Sequence, residues 1–205
     1  MNALRQAQGE RGIEMIEDCT ELILAGGDSR RMGQDKAALL LDGKTLLESV
    51  AATMQQVFPK VVVSVRQLRG EVALPQVCDA QADGGPLAGL VAGLAQVDTP
   101  WVFTVACDMP FIQPSVIEQL AMLRDGHQAV VSIAGGFPQP LAAFYATSSL
   151  PVMRTSLASG NKSLRGMLQN LDVRYVDAAE LQVSDPRSFF DLDTPQDYAA
   201  AREQK

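Results

Sequence analysis

Leu24-Ala25-Gly26-Gly27-Asp28-Ser29-Arg30-Arg31-Met32-Gly33-Gln34-Asp35-Lys36 is the stretch from which the rest of the chain can be read. It follows the apolar run Leu22-Ile23-Leu24 and precedes an amphipathic segment. Its glycines therefore fall in a loop at the carboxyl end of a buried strand, the place where open α/β sheets bind ligands. Gly26, Gly27 and Gly33 have no Cβ to hold an anion away from the backbone and tolerate positive φ, so successive amides can turn toward one centre. Arg30, Arg31 and Lys36 bring three cations to the same loop. In a chain of net charge −7, exposed amides with three cations point to a polyphosphate ligand.

Two familiar phosphate loops are excluded. Five residues separate Gly27 from Gly33 and Lys36 is followed by alanine, so the spacing of a P-loop is missing. A dinucleotide fingerprint needs an acid at the end of the second strand, and the run Val61-Val62-Val63-Ser64-Val65 ends in Ser64, Val65 and Arg66 instead.

The 205 residues suit one domain, or one with a small appendage, and 47% apolar content with 5% aromatics is the composition of an α/β enzyme. The acidic balance, with no basic stripe, argues against nucleic acid and against adhesion to anionic membranes. No run approaches the length of a membrane helix and the N-terminus lacks a signal-peptide core, so a cytoplasmic protein is expected. Cys19, Cys78 and Cys107 are widely spaced and odd in number, as reduced thiols acting as small hydrophobes would be. Residues 1–19 are polar and lack apolar periodicity, which predicts a flexible extension before a single domain over 20–205.

Downstream, Asp42-Gly43-Lys44 is a turn, and Thr45 caps a helix with apolar positions Leu46, Leu47, Val50, Met54 and Val57. The uniformly apolar Val61 to Val65 is a strand covered on both faces, which implies a parallel sheet with helical crossovers. A short strand over Pro75 to Asp79 ends in an acid. Gly84-Gly85-Pro86-Leu87 then either opens a helix whose free amides face a ligand or is an ordinary proline-started helix. The strand Trp101 to Ala106 delivers Asp108 to the same sheet edge as the glycine loop. A carboxylate there suits Mg²⁺, which takes one or two carboxylates and completes its shell with phosphate and water.

Ile112 to Leu123 has helical spacing, and His127, the only histidine, follows the Asp125-Gly126 turn on a connection leading away from that edge. Strands over Ala129 to Ile133 and Leu141 to Tyr145 flank a Gly- and Pro-rich loop, Gly135 to Pro140. Helical segments over Ser148 to Ala158 and Ser163 to Leu168, then a strand over Val173 to Val176, complete the alternation. Asp191 and Asp193, one residue apart in an extended segment, face one side before a Thr194-capped, Pro195-started last helix. Asp193 either adds a carboxylate to the metal or caps that helix. The pattern as a whole predicts a three-layer α/β/α, Rossmann-like domain around a mostly parallel sheet.

From Thr20 to the C-terminus the chain resembles the molybdenum cofactor guanylyltransferases (MobA), on the motif Leu-Ala-Gly-Gly-x-Ser-x-Arg-Met-Gly-x-Asp-Lys and on Gly-Pro-Leu-Ala-Gly and Gln139-Pro140-Leu141. The resemblance implies a nucleotidyltransferase that joins GMP from GTP to the terminal phosphate of molybdopterin, with pyrophosphate leaving and Mg²⁺ as cofactor. It implies that Leu24, Ala25, Gly26, Gly27, Lys36, Ser64, Asp79, Gly85, Pro86, Leu87 and Asp108 bind the nucleotide, with Arg31, Lys36 and Asp108 catalytic. The metal falls to Asp108 and Asp193, and the pterin to Gln139, Pro140, Lys162 and Asp191. It further implies transient contact with proteins that deliver or accept the cofactor. One departure is Ser64, where the family commonly has asparagine; serine has a shorter reach and fewer hydrogen-bonding groups. A cytidylyltransferase acting on molybdopterin or a sugar or alditol phosphate is the nearest alternative, and a non-catalytic nucleotide-binding protein is the alternative of another class.

Overall fold

The computed structural model describes residues 14–26, 35–79 and 84–203. Strand β1 (Cys19–Leu24) lies inside a seven-stranded sheet, with β4 (Lys60–Val65) on one side and β6 (Trp101–Ala106) on the other, both parallel to it. Beyond β4 lies β5 (Gln76–Cys78), also parallel. Beyond β6 come β8 (Phe137–Ala146), β7 (Ala129–Ala134) and β9 (Val173–Asp177). Strand β8 runs antiparallel to both of its neighbours while β9 returns parallel to β7, so the sheet is mostly parallel, as expected. A two-strand hairpin, β2 (Leu40–Leu41) with β3 (Lys44–Thr45), stands apart, turned by Asp42 and Gly43.

Alternation along the strands divides the core into two layers. Ile23, Val63, Phe103, Val105 and Phe144 pack toward α1 (Leu46–Met54) and α3 (Pro114–Ala121). Their neighbours Leu22, Val102, Ala143 and Tyr145 pack toward α2 (Gly85–Leu94), α4 (Leu150–Ala158) and α5 (Leu164–Leu168). A strand apolar at every position must be covered twice, and the helices on both faces do this. Phe103 ties the first layer together, with ring centroids 5.6 Å from Phe58 and 4.7 Å from Phe144. The cap expected at Thr45 is a full capping box: Glu48 N–H donates to Thr45 Oγ1 and Thr45 N–H donates to Glu48 Oε2. The last helix, α6 (Pro195–Glu203), is capped by Thr194, whose Oγ1 accepts from Asp197 N–H.

Two expectations are corrected. The extension over residues 1–19 is drawn too long: Ile16 N–H donates to Val57 O at 2.8 Å and its side chain packs on the core, while Cys19 already belongs to β1. A single apolar anchor has no periodicity to reveal it; residues 1–13 lie outside the described residues. The loop over Gly135 to Pro140 shrinks to Gly135 and Gly136, both at positive φ (58° and 79°), and Phe137 to Pro140 are part of β8. The two glycines make a tight hairpin turn, and a register shift between Val131 and Ser132 lets the strand accommodate its prolines.

Candidate active site

The carboxyl ends of β1, β4, β5 and β6 open onto one cleft of about 700 Å³. Leu24, Ala25 and Gly26 form its floor at β1, held by Ala25 N–H donating to Ser64 O at 2.9 Å and Cys107 N–H donating to Leu24 O at 3.1 Å. These bonds carry the β1 ladders one step past the strand, so the chain leaves the sheet between β4 and β6. Gly85, Pro86 and Gly89 bring the start of α2 to the same cleft. At Gly89 the helix packs closely on the sheet: a Cβ there would lie 2.7 Å from Ser64 Oγ and 3.4 Å from Leu24 Cδ2.

Asp35 caps the short 3₁₀ turn Lys36–Ala38, its Oδ1 accepting from Ala37 N–H at 3.1 Å. The turn sends Lys36 inward. Its Nζ donates to Asp108 Oδ2 at 2.8 Å and to Asp193 Oδ1 at 2.5 Å, with the Lys36 and Asp108 side chains each 14% exposed. Asp193 reaches this point because Leu192 N–H donates to Asp108 O at 2.9 Å, tying the segment to the turn after β6. Buried Leu192 packs with Leu41 and Leu46, while Asp191 and Asp193, one residue to either side, both line the cleft. The shared face read from their spacing is therefore present.

Burial works against the Lys36 ammonium, but the hydrogen bonds and charges of Asp108 and Asp193 outweigh it and hold its pKa above the ordinary lysine value. Asp191 is pushed the other way, its partial desolvation and the neighbouring Asp193 and Asp108 raising its carboxyl. Cys107 lines the cleft too, yet burial pushes its thiol up to about 12, so it stays protonated at neutral pH and is no nucleophile. Two carboxylates meeting at one point are the oxygen donors a hard divalent cation takes. Among the described residues no cluster of three His, Cys, Asp or Glu makes a complete cage, so such a cation would take its remaining ligands from phosphate and water.

Ser64, Asp79, Gln139, Pro140 and Lys162 also line the cleft, Gln139 and Pro140 from β8 rather than from a loop. The Leu87 side chain does not: it is fully buried in the layer beneath α2. It follows a cleft-lining proline by one residue, and the helical turn rotates it inward. Gly27 and Arg31 lie outside the described residues. His127 is remote from the cleft's lining, 3.4 Å from Asp172, in the surface role expected of it. Asp35, Arg66 and Gly89 were not singled out from sequence, although Arg66 was visible as the residue ending the second strand.

Residues 22–176 match the family model of the MobA-like NTP transferase domain. The chain belongs to that family. This member of the MobA-like NTP transferases is 34% identical to a probable molybdenum cofactor guanylyltransferase of Pelotomaculum thermopropionicum, over 89% of this chain and 91% of the relative. It is also 34% identical to a molybdenum cofactor guanylyltransferase of Pseudomonas putida, over 82% of this chain and 91% of that one. Its fold matches the crystal structure of the molybdopterin-guanine dinucleotide biosynthesis protein A of Archaeoglobus fulgidus with a TM-score of 0.80 and 28% identity, covering 90% and 97% of the two chains. In this MobA-like NTP transferase the cleft sits at the carboxyl edge of the sheet, where the order of strands reverses around β1. Among its described residues no helix is long and apolar enough to cross a membrane.

Proposed function

We propose that the protein transfers GMP from GTP to the terminal phosphate of molybdopterin, or of its molybdenum-loaded form, releasing pyrophosphate. The observation that carries this reading is the convergence of Lys36, Asp108 and Asp193 at one point in a cleft that runs on to Gln139, Pro140, Lys162 and Asp191. One continuous cleft suits two substrates lying end to end, the nucleotide over β1 and α2 and the pterin toward β8 and α5. The names of the relatives from Pelotomaculum and Pseudomonas agree with the guanylyl choice.

The pterin phosphate oxygen forms a bond to the α-phosphorus of GTP as the bond from that phosphorus to the oxygen bridging the α- and β-phosphates breaks, and pyrophosphate leaves with that oxygen. A phosphate monoester is already a nucleophile at neutral pH, so the reaction requires no base, in keeping with a protonated Cys107 and a distant His127. Catalysis then rests on positioning and charge. Lys36, kept cationic, offsets charge on the phosphates, joined by Arg31 from the glycine loop. Asp108 and Asp193 would hold Mg²⁺, which when bound neutralises triphosphate charge. Leu24, Ala25, Gly26 and Gly27 offer backbone to the nucleotide, Ser64, Asp79, Gly85 and Pro86 its base and ribose. A cytoplasmic setting, with transient contact to proteins that deliver or accept the cofactor, belongs to the same reading.

A thermal-shift titration with Mg²⁺ and each of GTP, CTP, ATP and UTP tests it. A ligand that binds only the native state adds about 2.7 kcal/mol at a hundred times its dissociation constant. The expected result is a shift with GTP alone that is lost in Asp108→Asn, followed by pyrophosphate release when molybdopterin is added. A shift confined to CTP would replace the guanylyl reading with a cytidylyl one; no shift with any nucleotide would overturn both.

A further inference from the structure

The stretch that opens the site leaves the sheet after Ala25 and ends at Asp35, directly before Lys36. One side chain that does not line the cleft touches both of these points. Arg69 stands on the connection from β4 to β5, with Nη1 2.6 Å from Asp35 Oδ2 and Nη2 donating to Ala25 O at 3.4 Å. Arg69 is itself pinned at the backbone. Its N–H donates to Gln76 Oε1 at 2.9 Å, and Gln76 Nε2 donates back to Arg69 O at 2.8 Å and to Val72 O at 3.2 Å. Gln76 belongs to β5 and pairs with Val63 of β4, so the guanidinium is anchored in the sheet rather than on a free loop.

Asp35 is thereby held from two sides. Its Oδ1 accepts from Ala37 N–H and its Oδ2 meets Arg69, so the carboxylate that caps the 3₁₀ turn cannot rotate without breaking one of them. The residue after it is the lysine that reaches Asp108 and Asp193. A planar guanidinium presents donors in a fixed fork and can keep two acceptors at a set separation; an ammonium is a point charge and cannot. We propose that Arg69 is a positioning residue for the transfer reaction: it clips Asp35 to Ala25 and so aims Lys36 at the two carboxylates of the cleft. This rests on the nucleotidyl-transfer reading above, and the test separates the two.

The test is steady-state transfer kinetics on Arg69→Ala, Arg69→Lys, Gln76→Ala, Lys36→Ala and the double variant Arg69→Ala/Lys36→Ala, with Tm recorded for each. Displacing a catalytic group by about 1 Å can cost on the order of a hundredfold, so Arg69→Ala is expected to lower kcat roughly ten- to a hundredfold with a smaller change in the KM for nucleotide. Arg69→Lys keeps a charge for Asp35 but loses the Ala25 contact, and is expected to fall between. Gln76→Ala, which leaves the guanidinium intact and frees its backbone, is expected to give a smaller kcat loss at unchanged KM, and serves if Arg69→Ala folds poorly.

The decisive arm is the double variant. If Arg69 works through Lys36, removing it once Lys36 is gone costs nothing further, whereas a merely structural role would lower both backgrounds alike. Wild-type kcat in Arg69→Ala and Gln76→Ala, or losses that multiply in the double, would overturn the clip while leaving the reaction assigned. Full activity in Lys36→Ala would remove the lysine from the mechanism and the clip with it while leaving the reaction assigned; no transfer by the folded wild-type protein would overturn the parent reading.

Discussion

Lys36 Nζ lies 2.8 Å from Asp108 Oδ2, although 72 residues of chain separate the two. The same ammonium meets Asp193 at 2.5 Å. On the reading proposed above, the lysine offers a cation to the phosphates of a bound nucleotide and the two aspartates offer oxygen donors to a divalent cation. Lys36→Ala and Asp108→Asn are therefore expected to lower kcat by about a hundred- to a thousandfold, the range found on deleting one charge-stabilising group. Steady-state rates with circular dichroism as a check on folding would measure this, and a folded Lys36→Ala with unchanged kcat would remove the lysine from the mechanism.

Glu21 sits in the middle of β1, fully buried, with neither carboxylate oxygen hydrogen-bonded among the described residues. Desolvation raises its pKa well above the ordinary value, so the folded protein keeps a proton that the unfolded chain releases above a pKa of about 4.3. Its favourable contribution is complete below that unfolded value and is lost as pH rises toward the folded one. Replacing it with a similar apolar volume, Glu21→Met, should stabilise the protein by ~1–3 kcal/mol at neutral pH. The gain should be larger at pH 8 than at pH 5. Urea unfolding at both values measures it, and a loss of stability or a pH-independent gain would contradict the account.

Gly89→Ala should narrow the cleft. The added Cβ would stand 2.7 Å from Ser64 Oγ but 3.7 Å from Ser64 Cβ, so the hydroxyl is the obstacle. Overpacking of this kind costs ~1–3 kcal/mol. The double variant Gly89→Ala/Ser64→Ala should recover most of the lost stability, as read by Tm. Failure of the second substitution to help would show that the helix, not the serine, has been displaced.

Thiol labelling should find one fast cysteine. Cys78 is exposed, whereas Cys19 and Cys107 are buried and both thiols are raised by that burial. Reaction with a chromogenic disulfide should give one equivalent quickly and the other two only on unfolding. Rapid modification of all three would mean that the β1 and β6 ends open in the native state.

Much of this architecture was legible along the chain because its signals are local. Unbroken apolar runs marked β1, β4 and β6 as strands covered on both faces, Thr45 marked a helix start, and the spacing of Asp191 and Asp193 placed them on one side. The errors also had local causes. Two glycines and two prolines over Gly135 to Pro140 read as a loop, whereas a turn of two residues and a register shift suffice to keep Phe137 to Pro140 in β8. At the start of α2 the helical rotation decides which side chains face the cleft, Pro86 lining it and Leu87 entering the core.

The sequence by itself determined the kind of layers, the carboxyl-edge position of the glycine loop and the arrival of Asp108 beside it, because alternation and turn chemistry depend on neighbours a few residues apart. Only the tertiary structure decided that Lys36 bridges Asp108 and Asp193, and that Arg69 reaches both Ala25 and Asp35. Those meetings span tens to more than a hundred residues and depend on strand order, on the Leu192 to Asp108 backbone bond and on the path of the β4–β5 connection. No local pattern encodes them, since they exist only once the sheet has brought its carboxyl ends to one edge.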